Sequence, residues 1–147
     1  MNARLVGLDI GDKRIGVAVS DPLRITAQGL GMVERRSMAK DVAAILEMLN
    51  DYGDIESFVV GLPLLLDGTD SEQTDRTRHF AKRLRKDTGI PVLFQDERFS
   101  TAESERLLID GGVRRSARKG VIDKLAATLI LQAHMDGAPS APLAEPE

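Results

Sequence analysis

Two short, mostly apolar runs open the chain, Arg4 to Ile10 and Arg14 to Ser20, with Gly11-Asp12-Lys13 between them. Their length and the turn residues predict two strands joined as a hairpin. Ala27 to Val33 suits a third, shorter strand. Apolar positions then change period: Val42, Ile45, Leu46 and Leu49 fall at helical spacing within Met38 to Leu49, and Tyr52-Gly53 ends the segment. Ser57 to Gly61 is a short apolar run fit for a buried parallel strand. A loop broken by Pro63 and Gly68 follows it. Asp70 to Thr88 predicts a helix closed by Gly89, with Pro91 just beyond, and Val92 to Gln95 predicts a last strand. Ser100-Thr-Ala-Glu103 has the form of a capping box and predicts a helix to about Asp110, stopped by Gly111-Gly112. A final helix is expected over Lys119 to Met135, with Ile122, Leu125, Ala126, Leu129 and Ala133 as its buried stripe. A meander of three strands followed by alternating helix and strand gives an α/β class: a mixed five-stranded sheet flanked by helices. The domain is expected to span residues 1–136. Residues 137–147, rich in Ala, Pro and Glu, are expected to be a disordered tail.

One position breaks the first strand's apolar pattern. Asp9 places a carboxylate inside a strand, where a charge must be paired, neutralised or bound to a cation. Gly7, Gly11 and Gly16 remove side-chain bulk around it, which leaves room for a phosphate or a metal. Two further acidic positions can converge on Asp9 across such a sheet. Asp96-Glu97 closes the last strand at its carboxyl end, where ligands of open α/β sheets bind. Strand neighbours point to opposite faces, so at most one of the pair faces Asp9, and Glu97 is the choice for its longer reach. Asp123 lies in the early turns of the final helix, one position from the expected stripe. Taken singly, Asp123 is equally a partner of the helix dipole and Asp96-Glu97 equally a solvated strand end. Together the three carboxylates repel one another in a low-dielectric cleft and invite a hard divalent ion, Mg²⁺ or Mn²⁺. Paired ions of this kind activate water and stabilise the leaving oxygen in phosphodiester hydrolysis.

Composition narrows the alternatives. The 147 residues hold no cysteine and two histidines, His79 and His134, so thiolate sites, disulfides and cysteine nucleophiles are excluded. No apolar run has the length needed to cross a bilayer and no signal-peptide pattern is present, so a cytoplasmic protein without membrane contact is expected. The net charge of −3 hides a division. Glu34 to Asp75 holds ten acids and three bases, a net of −7, whereas Arg76 to Lys119 holds twelve bases and six acids, a net of +6. A chain so divided can present one basic face to phosphates.

The segments LVGLDIGDKRIGVAVSD, VVGLPLLLDGT, FQDERFST and VIDKLAATLILQ, in this order, resemble the YqgF-type family of pre-16S rRNA nucleases and Holliday-junction-resolvase-like proteins. Together they span Leu5 to Gln132. The resemblance implies a ribonuclease H-like fold and metal-dependent hydrolysis of a nucleic-acid phosphodiester. It maps the family's acids onto Asp9, Glu97 and Asp123, as catalytic residues and as ligands of Mg²⁺ or Mn²⁺. The family's second motif often reads GLPLNMDG, whereas Leu65 stands here in the Asn place.

Lys13 and Arg14, beside the Asp9 strand, with Arg98, Arg114, Arg115, Arg118 and Lys119, are the candidate substrate-binding residues. The last four form a basic loop just before the helix of Asp123, among Gly111, Gly112 and Gly120, that reads as a flexible clamp ordering on its ligand. Aromatic residues make up only 3% of the chain, so shape and backbone contacts are expected to dominate over base stacking. The expected partner is nucleic acid, either structured RNA in 5′-end maturation of pre-16S ribosomal RNA or branched DNA, with the protein a monomer or a homodimer. Junction resolution requires two-fold related sites, which the sequence leaves open. Two other classes fit less well: a phosphate-binding ATPase or sugar kinase of the actin and hexokinase type, which needs two such domains around its nucleotide, and a non-catalytic binding module.

Overall fold

The computed structural model describes residues 3–96 and 115–143. Their elements run β1 (Arg4–Ile10), β2 (Arg14–Ser20), β3 (Ala27–Glu34), α1 (Met38–Met48), a 3₁₀ turn (Asn50–Tyr52), β4 (Ile55–Leu62), α2 (Glu72–Thr88), β5 (Val92–Asp96), α3 (Arg115–Met135) and β6 (Ser140–Pro142). The strands form one sheet in the order β3-β2-β1-β4-β5-β6. β1, β2 and β3 are an antiparallel meander, β4 and β5 add parallel to β1, and β6 returns antiparallel to β5. This is the expected mixed α/β sheet with one strand more.

The extra strand corrects the expectation for the tail. Ser140 and Pro142 pair with Gln95 and Leu93, the Leu143 N–H donates to the Val92 carbonyl at 2.9 Å, and Leu143 is buried. Residues 137–143 are therefore built into the domain, and 144–147 lie outside the described residues. Three residues of Ser, Ala and Pro carry no strand signature of their own. An edge position tolerates proline, and the free edge of β5 supplies the hydrogen bonds.

The two sheet faces follow from strand alternation. Val6, Leu8 and Ile10, with Ile15, Val17, Phe58, Val60 and Phe94, face α1 and α2 and meet Val42, Ile45, Phe80 and Leu84. Leu5, Ala18 and Val59 face the other way and meet Ala127, Ile130 and Leu131 of α3. Caps fix the helix starts: Ser37 accepts from the Lys40 N–H, and Ser71 with Thr74 forms a reciprocal capping box. Thr74 replaces the usual Glu or Gln, and because Ser71 is the N-cap, α2 begins at Glu72 and not at Asp70. Gly89, at φ 71°, ends α2 in the left-handed region as expected.

Two further expectations change at α3. The helix begins at Arg115, so Arg115, Arg118 and Lys119 stand on its first turns and not in a loop. A single Gly120 costs the helix about 1 kcal/mol without ending it. From Leu125 onward its buried residues are Ala126, as expected, with Ala127, Ile130 and Leu131, while Leu125, Leu129 and Ala133 are half-buried, because small Ala127 is the residue that meets the sheet backbone. The helix expected over 100–110 lies outside the described residues.

Candidate active site

Asp9 occupies β1 on the α3 side of the sheet, the parity it shares with Leu5 and Gly7. Its cross-strand neighbours have no side chains. Asp9 pairs directly with Gly16 on β2, and the parallel register that joins Gly7 to Val59 brings Gly61 of β4 alongside on the other flank. The carboxylate therefore stands half-buried in a cleared strip of backbone.

α3 is brought down onto this strip by Gly7. A Cβ there would lie 2.7 Å from both the Ala127 carbonyl oxygen and Leu131 Cβ, closer than real atoms approach. Only glycine allows the helix to rest on the strand at this point. Gln132 sets the helix direction: its Oε1 accepts from the Ala27 N–H at 3.0 Å and its Nε2 donates to the Ile25 carbonyl at 3.1 Å. The carboxyl half of α3 thus covers the Leu5 end of β1, and its amino half runs toward Asp9. From Gly7 to Asp9 the strand advances about 6.6 Å. From Ala127 back to Asp123 the helix advances about 6 Å. The backbone position of Asp123 is therefore one turn from the contact, in the direction of Asp9 and in line with the buried stripe.

The turn after Asp9 is held from two sides. The Gly11 N–H donates to the Arg14 carbonyl at 2.9 Å, and a Cβ on Gly11 would stand 2.7 Å from that oxygen. Arg35 donates from Nη1 to the Gly11 carbonyl at 2.8 Å and from Nε to Asp41 at 3.0 Å, with its guanidinium over the Phe80 ring. Asp41 is 2% exposed and also accepts from the Arg36 N–H at 2.8 Å. This buried pair ties the β1–β2 turn to both α1 and α2. Spacing alone offered no signal for it, since Arg35 and Asp41 read as ordinary members of a charged stretch.

The remaining expected residues are distributed as follows. Asp96 shares the parity of Val92 and Phe94 and so belongs to the α1–α2 side, away from Asp9. Glu97, Arg98 and Arg114 lie outside the described residues. Lys13 is exposed at the hairpin turn, and the Arg14 guanidinium pairs with Glu34 across β2 and β3 at 2.9 Å. Beyond the turn, a cleft of about 500 Å³ carries Arg35, Arg76, Asp12 and Asp41, whose charges pair off as Arg35–Asp41 and Arg76–Asp12. Asp21, at the far end of β2, accepts from the backbone N–H groups of Thr26, Ile25 and Leu23. These bonds, the one from Thr26 foremost, hold its carboxyl below the usual range and make it a turn staple, not a metal acid. Burial lowers the pKa of His134 on α3.

Sequence reasoning passed over Gln95. It stands on β5 in register with Gly61, hence on the Asp9 side, and is 2% exposed. Its Oε1 has no hydrogen-bond partner among the described residues. A polar residue buried in a strand next to the Asp96-Glu97 pair was the available signal. Among the described residues no three acidic or histidine side chains cluster as a metal cage. The described part of the site is one strand carboxylate, a glycine-cleared strip and an orphaned buried carbonyl. All its donors are oxygen, a set suited to a hard divalent cation.

A family model described as "RuvX: Holliday junction resolvase" matches residues 3–137. Proteins named "Putative pre-16S rRNA nuclease" from Moorella thermoacetica and Syntrophus aciditrophicus are each 47% identical to the chain over 133 residues. The match covers 90% of this chain in both cases, with 94% and 88% of the respective relatives. Among solved structures, Thermus thermophilus RuvC in complex with a Holliday junction substrate superposes with a TM-score of 0.56 at 20% identity, covering 96% of this chain and 99% of that one. The fowlpox virus Holliday junction resolvase gives 0.53 at 12% identity, covering 90% and 97%. These structures share the fold, the ribonuclease H-like α/β arrangement.

Proposed function

Because the chain belongs to the RuvX, Holliday junction resolvase family, we propose that it is a divalent-metal-dependent nuclease acting in the cytoplasm on precursor 16S ribosomal RNA, the substrate in its relatives' names. The observation that supports this reading is the backbone contact of β1 and α3 at Gly7, which lies one helical turn from the backbone position of Asp123 and two strand residues from Asp9.

In the proposed reaction Asp9, Glu97 and Asp123 would together hold the divalent metal. Bound Mg²⁺ or Mn²⁺ supplies Lewis acidity, which drains charge from the scissile phosphate and makes water a nucleophile at neutral pH. Asp9 is suited to hold such charge because its strand is buried and its turn is fixed by Arg35, so little reorganisation is needed. Gly16 and Gly61 let a phosphate approach the strand backbone. Lys13, Arg98, Arg114, Arg115, Arg118 and Lys119 neutralise flanking phosphates; Arg14 contributes after exchanging Glu34 for the substrate. Water adds to phosphorus as the bond to the 3′ oxygen breaks, leaving a 5′-phosphate and a 3′-hydroxyl.

The description of the family model favours a second reading, resolution of four-way DNA junctions by a homodimer. Both are tested by a metal-dependence series on precursor 16S ribosomal RNA and on a four-way DNA junction, with Asp9→Asn as control. Cleavage of the RNA with Mg²⁺ or Mn²⁺, lost in Asp9→Asn, is the expected result. Symmetric cleavage of the junction alone would transfer the site to DNA. Undiminished cleavage by Asp9→Asn would overturn the site.

A further inference from the structure

We propose that Gln95 is a positioning residue of this site, its side-chain carbonyl orienting the attacking water beside Asp9. The proposal rests on the nuclease reading. Across the sheet the register runs Gly16, Asp9, Gly61, Gln95, all on one face. Gly61 puts no side chain between Asp9 and Gln95. Two strand spacings separate the two backbones, about 9.6 Å. A carboxylate-bound cation at about 2.1 Å and a water hydrogen-bonded to Oε1 at about 2.8 Å are the size of object that bridges such a span.

The carbonyl's isolation gives the argument its weight. Gln95 is 2% exposed and its Oε1 accepts nothing among the described residues. A buried acceptor left unsatisfied is destabilising, a cost that a leucine of similar length would avoid. The three residues before it on β5, Val92, Leu93 and Phe94, are apolar, and Asp96 after it lies on the opposite face. The one amide in the run stands level with the one acid of β1, across a glycine. Being neutral, Gln95 takes no proton. The water oxygen bonds to phosphorus, the bond to the 3′ oxygen breaks, one water proton remains hydrogen-bonded to Oε1, and the other exchanges with solvent as the 3′ oxygen is protonated.

The test compares the full chain with Gln95→Leu, Gln95→Glu and Asp9→Asn. The readouts are Mn²⁺ affinity by electron paramagnetic resonance, metal-free thermal unfolding, and kcat and KM on precursor RNA. Gln95→Leu is expected to unfold no earlier than the parent without metal, and to lose about ten- to hundred-fold in kcat and several-fold in Mn²⁺ affinity with KM unchanged. Gln95→Glu, which keeps the acceptor, is expected to recover most of both, and it serves alone if the leucine variant fails to fold. Parental kcat and Mn²⁺ affinity in Gln95→Leu, or failure of a folded Gln95→Glu to exceed a tenth of parental kcat, overturns the role of Gln95. If Asp9→Asn binds Mn²⁺ like the parent, the underlying site assignment fails instead.

Discussion

The face of the sheet under α1 and α2 is lined with large side chains, whereas the face under α3 mixes a few large ones with glycine and alanine. On the first, Phe58, Phe80, Leu8, Ile15 and Ile45 are fully buried and interlock. On the second, Gly7 touches Ala127 and Leu131, while Leu5, Ala18 and Val59 pack with Ala127, Ile130 and Leu131, and Gly16, Gly61, Asp9 and Gln95 continue the same face of the sheet. Large side chains hold layers together but keep backbones apart. Small ones let a helix descend onto a strand and leave an open strip around a charge. Stability and chemistry are thus separated across one layer of backbone, and each strand serves both by alternation.

That separation can be broken in graded ways. Asp9→Asn is expected to lower cleavage by about a thousand-fold or more with no loss of thermal stability, since it removes charge and not volume; a large fall in Tm would show that Asp9 also holds the fold together. Phe58→Ala, on the opposite face, is expected to cost about 3–5 kcal/mol in denaturant unfolding while the surviving folded fraction keeps its Mn²⁺ affinity. A parallel loss of affinity would mean that the faces are coupled. Gly7→Ala is expected to cost about 1–3 kcal/mol, because the Ala127 carbonyl and Leu131 Cβ must move away from the new methyl. Its activity should fall further than its stability explains, measured as kcat per folded molecule, because the helix carrying Asp123 is displaced from Asp9.

The smallest effect concerns His134. Burial holds its pKa below the ordinary 6.5, so the unfolded chain takes up the proton first as pH falls. The stability due to neutral His134 is complete above 6.5 and is lost as pH descends through the lowered folded value. His134→Gln should flatten the dependence of Tm on pH between about 7.5 and 5.5 relative to the parent. An unchanged slope would assign that dependence to other groups.

Much of this was legible from the chain itself. Apolar runs bounded by turn residues marked β1 and β2, a helical period marked α1 and stop signals marked α2, because local sterics and capping act over a few residues and leave their pattern in the sequence. Gly89 ended α2 for the same reason. The anomaly of Asp9 inside an apolar strand needed no structure to be noticed, since the cost of a buried charge is a property of the residue and its neighbours. β6 and the start of α3 were not legible. Ser140–Pro142 is a strand only because β5 has an unpaired edge, and Gly120 stays helical within α3 although its own propensity argues against it. The stripe of α3 was read correctly only at Ala126 among the described side chains, because its apolar residues run nearly all round and the partner surface chooses the buried side. The row from Asp9 across Gly61 to Gln95, and the Arg35–Asp41 tie, depend on strand register and on elements many residues apart. The chain fixed which residues could carry charge or approach closely. Only the assembled sheet decided which of them stand side by side, because register is set by the packing of whole faces and not by any residue alone.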